Sequence, residues 1–162
     1  MKNTIIRTLL IFIFITIAIK ANGQVNAIWA SSFKSTYEDF ACKSVADNNG
    51  SVYTVGLTKV LDGANLSVII IKYDKNGFEE WHDVFDTIVA NQTNKPDIAI
   101  DNSGNIYVTN SSNLSTDIIK YNSTGARIWK INNINDWSGS KNITLDNSGN
   151  LYVTCLKKMA LF

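Results

Sequence analysis

The stretch Asp101-Asn102-Ser103-Gly104-Asn105-Ile106-Tyr107-Val108-Thr109 decides the fold, because the chain contains it in three versions. The first copy reads Asp47-Asn48-Asn49-Gly50-Ser51-Val52-Tyr53-Thr54-Val55. The third reads Asp146-Asn147-Ser148-Gly149-Asn150-Leu151-Tyr152-Val153-Thr154. A second motif occurs twice: Ile70-Ile71-Lys72-Tyr73 leads through Asn76-Gly77 to Trp81, and Ile118-Ile119-Lys120-Tyr121 leads through Thr124-Gly125 to Trp129. Trp29 opens the first unit 18 residues before Asp47, and Trp81 and Trp129 precede their aspartates by 20 and 17. A period of 45 to 54 residues with constant internal order identifies a repeat architecture.

Each piece has a physical reading. In Asp-Asn-x-Gly the carboxylate can accept backbone N–H groups two residues on, and Gly supplies a positive φ, which makes a tight turn. The flanking runs, such as Ile98-Ala99-Ile100 and Ile106-Tyr107-Val108, are rich in β-branched and aromatic residues, so turn and flanks form a hairpin. Ile-Ile-Lys-Tyr is a third strand, and the glycine after it turns the chain into a fourth strand that carries the Trp. Val68-Ile69-Ile70-Ile71 is apolar at successive positions, whereas a sheet with one wet face would alternate. Both faces must therefore be covered. Four short antiparallel strands per unit, pressed between neighbours, predict an all-β fold in which each unit is one β-propeller blade. The competing repeat fold is a parallel β-solenoid, but its coils are usually shorter and lack two glycine turns per unit.

The pattern Asp-x-x-Gly-Asn-Ile-Tyr-Val-Thr, followed by Asp-Ile-Ile-Lys-Tyr-x-x-x-Gly-x-x-x-Trp, resembles the seven-bladed β-propeller repeats of bacterial exported proteins, the SBBP type. It is also similar to NHL repeats, which share the Asp-x-x-Gly-Asn-Ile-Tyr-Val core. The resemblance runs from about Trp29 to Thr154. One position departs from it: the residue after the Tyr strand, often Gly, is Gly56 in the first copy but Asn110 and Cys155 in the others. The resemblance implies an exported, non-enzymatic binding or scaffold module of a larger surface or secreted protein, with an unknown protein or glycan as partner; the alternatives are a truncated piece of a propeller enzyme and a carbohydrate-binding propeller. The expected layout is a signal peptide over 1–23 and a repeat region over 24–162. Within it, blade 1 covers about 29–80, blade 2 about 81–128 and a partial blade 3 about 129–162. These roughly 2.5 blades fall short of the four to eight of a closed propeller. The chain is thus expected to be an incomplete propeller, a truncated product or fragment with an unpaired strand edge after Thr154. Assembly of several chains into a ring is the rival expectation.

The first 23 residues stand apart from the repeats. Lys2 and Arg7 precede an uncharged run over 8–19 (TLLIFIFITIAI), and Ala21 and Gly23 sit at −3 and −1 from a cut before Gln24. That is a signal-peptide layout, and twelve helical residues cover about 18 Å, short of a roughly 30 Å hydrocarbon core. An exported location follows: secreted, periplasmic or cell-surface, with no stable membrane insertion after cleavage. Removing three cationic residues leaves 12 Lys+Arg against 14 Asp+Glu, so no basic face suggests nucleic acid. Cys42 and Cys155 occupy different repeat positions and are expected to remain separate, as small buried hydrophobes.

No catalytic residue, metal ligand or cofactor is assigned from the sequence, and the binding residues are left unassigned. Asp101-Asn102-Ser103-Gly104 offers one carboxylate and places Gly too early for an EF-type calcium loop. His82 is the single histidine, and no nucleophile motif accompanies it. The carboxylates Glu79, Glu80, Asp83 and Asp86 read as solvated surface beside Trp81. Trp29, Trp81 and Trp129 recur at one position and read as packing residues. Trp137, in the connection between the second and third units, is a candidate for stacking on a sugar or anchoring a partner. The loop from Lys59 to Ser67, six residues longer than its counterpart, is the other place where binding would sit.

Overall fold

The computed structural model describes residues 27–33, 35, 38–59, 65–89, 95–111, 115–135 and 137–157. Among these, ten strands form three antiparallel sheets and there is no helix. The first sheet contains β1 (Asp39–Ala46), β2 (Val52–Thr58), β3 (Asn65–Tyr73) and β4 (Glu79–Val89), hydrogen-bonded in chain order. The second contains β5 (Asp97–Ile100), β6 (Ile106–Ser111), β7 (Ser115–Tyr121) and β8 (Arg127–Asn135), in the same order. In the third, β9 (Trp137–Leu145) pairs with β10 (Leu151–Lys157). Equivalent residues keep equivalent registers: Tyr53 faces Lys72 across β2–β3, and Tyr107 faces Lys120 across β6–β7.

One turn design serves five times. The Asp47 Oδ1 atom accepts the N–H groups of Asn49 and Ser51 at 2.8 and 2.9 Å. Asp101 and Asp146 do the same for Ser103 and Asn105, and for Ser148 and Asn150. The β3–β4 and β7–β8 turns follow the same plan, with Asp74 and Asn122 as acceptors. The sequence pointed only to Asn76-Gly77 and Thr124-Gly125 there; the Asp/Asn three residues before each glycine completes the design.

The sheets pack face to face through their apolar sides. Tyr53, Val55, Val68, Ile70 and Phe85 of the first sheet share a core with Ile98, Ile106, Val108, Ile119 and Tyr121 of the second. The other side of the second sheet, Ala99, Tyr107 and Ile118, buries Ile143 of β9, with Leu145, Leu151 and Val153 packed around it. On the other side of the first sheet, Ile69, Ile71 and Tyr73 meet Trp29 and Phe33. The continuous apolar run of β3 is thus buried on both faces, as its lack of alternation requires.

Counted by sheets, the units span 39–89 and 97–135, so Trp81 and Trp129 lie in the last strand of a sheet. Trp137 is not in a connecting loop: it is the first residue of β9, paired with Lys157. Strand pairing continues there because β9 and β10 must satisfy their backbone groups along their length. Cys42 and Cys155 are both free thiols, half-buried rather than fully buried. Among the described strands β10 pairs only with β9. Residues 1–23 and most of the long loop, 60–64, lie outside the described residues. Among the described residues no helix is long and apolar enough to cross a membrane.

Candidate docking groove on the first sheet

Trp29, Ser31 and Phe33 repeat the spacing of Trp81, Asp83 and Phe85. The structure shows that the two sets do the same work. Trp81, in β4, lies 6.2 Å from Tyr121 of the second sheet, nearly parallel at 23°. A Cβ added to Gly125 would sit 2.8 Å from the Trp81 ring, and Gly125 has φ +87°. Trp29 lies 6.0 Å from Tyr73 of the first sheet, and a Cβ on Gly77 would sit 2.7 Å from its ring. In each case a glycine with no side chain admits the indole against the turn.

Polar partners follow the same rule. The Tyr121 hydroxyl donates to Asp83 Oδ2 at 2.9 Å, and Arg127 reaches that same oxygen from the second sheet at 2.7 Å. Burial, reinforced by the Asp83 bond and charge, pushes the Tyr121 phenol far up. At the equivalent place, burial and the negative Glu79 raise the Tyr73 phenol against the opposing side-chain hydrogen bond with Ser31. Residues 29–33 therefore cover the first sheet as part of β4 covers the second. The recurrence Trp-x-x-x-Phe in Trp29–Phe33 and Trp81–Phe85 is the sequence signal for this.

The coverage is incomplete. β4 reaches the second sheet together with β1–β3, whereas residues 29–33 leave a groove of about 480 Å³ beside them. Trp29, Phe33, Ile71 and Tyr73 give it aromatic and aliphatic walls, and Ser44 and Thr54 lie on its floor. These two hydroxyls hydrogen-bond to each other at 2.8 Å. By register Ser44 and Thr54 stand where the second sheet has Ile98 and Val108, and the third Ile143 and Val153. Asp39 edges the groove. Burial raises its carboxyl, but the Ser35 N–H, at 2.7 Å, and the Thr58 hydroxyl outweigh burial and hold it below the usual carboxylate range.

The titratable residues singled out in the sequence do not converge. His82 Nδ1 contacts Glu79 Oε1 at 2.6 Å on the exposed surface, with the His82 ring edge-on to Phe33. Glu80 pairs with Lys72, and Asp83 belongs to the junction between sheets. The side chains of Asp86 and Trp137 lie outside the described residues. Among the described residues no three His, Cys, Asp or Glu side chains gather as a metal site would require. The turn aspartates are occupied by their own backbone N–H groups. What the groove can do chemically is hold a surface by aromatic contact and a few hydroxyl hydrogen bonds.

No family model matches the chain, and no curated protein is significantly similar to it. Fold and groove together define an all-β protein of stacked antiparallel sheets.

Proposed function

We propose that this protein is an exported, non-enzymatic β-propeller repeat protein that acts as a binding or scaffold module. The observation that carries the reading is the repeated junction, in which an indole from one unit seats on the glycine turn and tyrosine of the next. Such a junction suits an array whose surfaces exist to meet other surfaces. The constant strand order of the two complete sheets supports the blade assignment. Export is supported by the charged start, short apolar run and small-x-small exit of residues 1–23.

Expression in a bacterial host tests both halves. The exported fraction should contain a chain beginning at Gln24 by intact mass, and that chain should unfold cooperatively. Retention of the uncut chain in the membrane fraction would overturn export. Turnover of any hydrolase substrate that disappears in His82→Ala or Asp83→Asn would overturn the non-enzymatic reading.

A further inference from the structure

At the junction between the first two sheets, Trp81 meets two tyrosines. Tyr53 of its own sheet is 6.2 Å away and tilted by 58°, and Tyr121 of the next sheet is 6.2 Å away and nearly parallel at 23°. At the next junction Trp129 keeps its own-sheet partner, Tyr107, at 6.0 Å. Trp29 has the next-sheet tyrosine, Tyr73, and among the described residues no second tyrosine reaches it.

The second tyrosine that Trp29 lacks among the described residues has a counterpart on the third sheet. Tyr152 stands at the position of Tyr53 and Tyr107, yet it is 53% exposed where they are 0% and 7%. Exposure has not released it. Its hydroxyl donates to Asp146 Oδ2 at 3.0 Å, as Tyr53 donates to Asp47 at 3.3 Å and Tyr107 to Asp101 at 3.2 Å. The ring is therefore held in the pose its buried equivalents use against a tryptophan. The polar residues match as well. The groove floor carries Ser44 and Thr54, and the side of the third sheet that bears Tyr152 carries Thr144 and Thr154. At the junction of the first two sheets the corresponding places are Ile98 and Val108 against Val45 and Val55, and at the next they are Ile143 and Val153 against Ala99 and Thr109.

The geometry points to head-to-tail association of this chain with itself. Tyr152 of a second copy packs on Trp29, completing with Tyr73 the cluster of one tryptophan and two tyrosines seen at Trp81, and the β9–β10 face fills the groove on the first sheet. This deepens the scaffold reading and rests on it by naming the partner as another copy. Because the two surfaces differ, the contact is heterologous, and repeated association builds rings or open chains rather than a symmetric dimer. With four hydroxyl residues at its centre it is a wetter contact than the junction of the first two sheets, where all four places are aliphatic.

Sedimentation of the exported protein over a range of concentrations tests the proposal. Wild type should show mass rising with concentration up to about 100 μM, where an interface of micromolar affinity is well populated. Tyr152→Ala, at an exposed position, and Trp29→Ala should each weaken self-association by about tenfold or more, as expected for an aromatic anchor. Mixing the two variants restores one intact junction, Tyr152 of one on Trp29 of the other, and should give a one-to-one dimer that grows no further. Circular dichroism establishes that each variant is folded, and should Trp29→Ala unfold, Tyr152→Glu against wild type answers the question alone. A single-chain mass for wild type throughout, or Tyr152 variants that associate as wild type does, would overturn the proposal. A protein that is exported, folded and monomeric sinks only this inference, whereas one that is neither exported nor cooperatively folded sinks the module reading itself.

Discussion

Asp101 shows how much a single side chain does here. Its Oδ1 atom accepts two backbone N–H groups, while Oδ2 takes the Asn105 side chain at 2.8 Å and the Tyr107 hydroxyl at 3.2 Å. Burial raises its carboxyl, but these bonds outweigh it and hold the group below the usual carboxylate range. A carboxyl depressed by folding stabilises the native state above its unfolded pKa, and that stability is lost as pH falls through the folded value. Asp39 and the exposed turn residues Asp74 and Asp146 are depressed as well. Acid unfolding, followed by circular dichroism, should therefore set in below about pH 4. Asp101→Ala should lower stability by about 1–2 kcal/mol in urea titrations. Asp101→Asn should lower it less, since Asn122 already fills that role in the β7–β8 turn.

At the scale of the element, what matters is how the end of one strand seats on the turn of another. Gly77 and Gly149 share a positive φ, +87° and +82°, so alanine costs about 1–2 kcal/mol in backbone conformation at either place. At Gly149 a Cβ meets nothing within 4 Å, whereas at Gly77 it runs into the Trp29 ring. Gly77→Ala should consequently destabilise more than Gly149→Ala, with a shift in Trp fluorescence that Gly149→Ala lacks. Tyr121→Phe removes the hydroxyl that links β7 to Asp83 of β4, at a cost of about 1–2 kcal/mol by denaturant titration. A phenol raised by folding gives stability that is present below its unfolded pKa and lost as pH rises through the folded one. Wild type should begin to lose stability above about pH 10. Tyr121→Phe should lose less there, which a comparison of the two at pH 8 and pH 11 would show.

For the whole molecule, Asp97 joins the three sheets. Its carboxylate receives the Ile98 N–H in its own sheet, Lys43 of the first sheet at 2.6 Å, and the Ile143 N–H of the third at 2.9 Å. The side chain is almost entirely buried. Asp97→Ala strands the buried Ile143 N–H, while Lys43 is exposed enough for water to solvate it, so the expected loss is about 1–3 kcal/mol. Hydrogen exchange should show β9 amides opening first in that variant, while β6 and β7, covered on both faces, stay the slowest.

The sequence alone determined the repeats, the turns and the four-strand unit, because each rests on local chemistry: a carboxylate and a glycine at fixed spacing, and β-branched runs between them. It also marked Trp29, Trp81 and Trp129 as packing residues. It placed Trp137 in a loop, since a short Asn- and Gly-rich stretch reads as a turn until the pairing of β9 with β10 is seen. It had no means of finding the groove. Whether Trp29 covers a sheet fully or in part, and whether Tyr152 is buried like Tyr53 or left bare, depends on which faces meet. Only the tertiary structure decides that, because contacts between sheets join residues 38 to 51 positions apart, and a repeated motif marks which residues pack without showing how completely they cover a face.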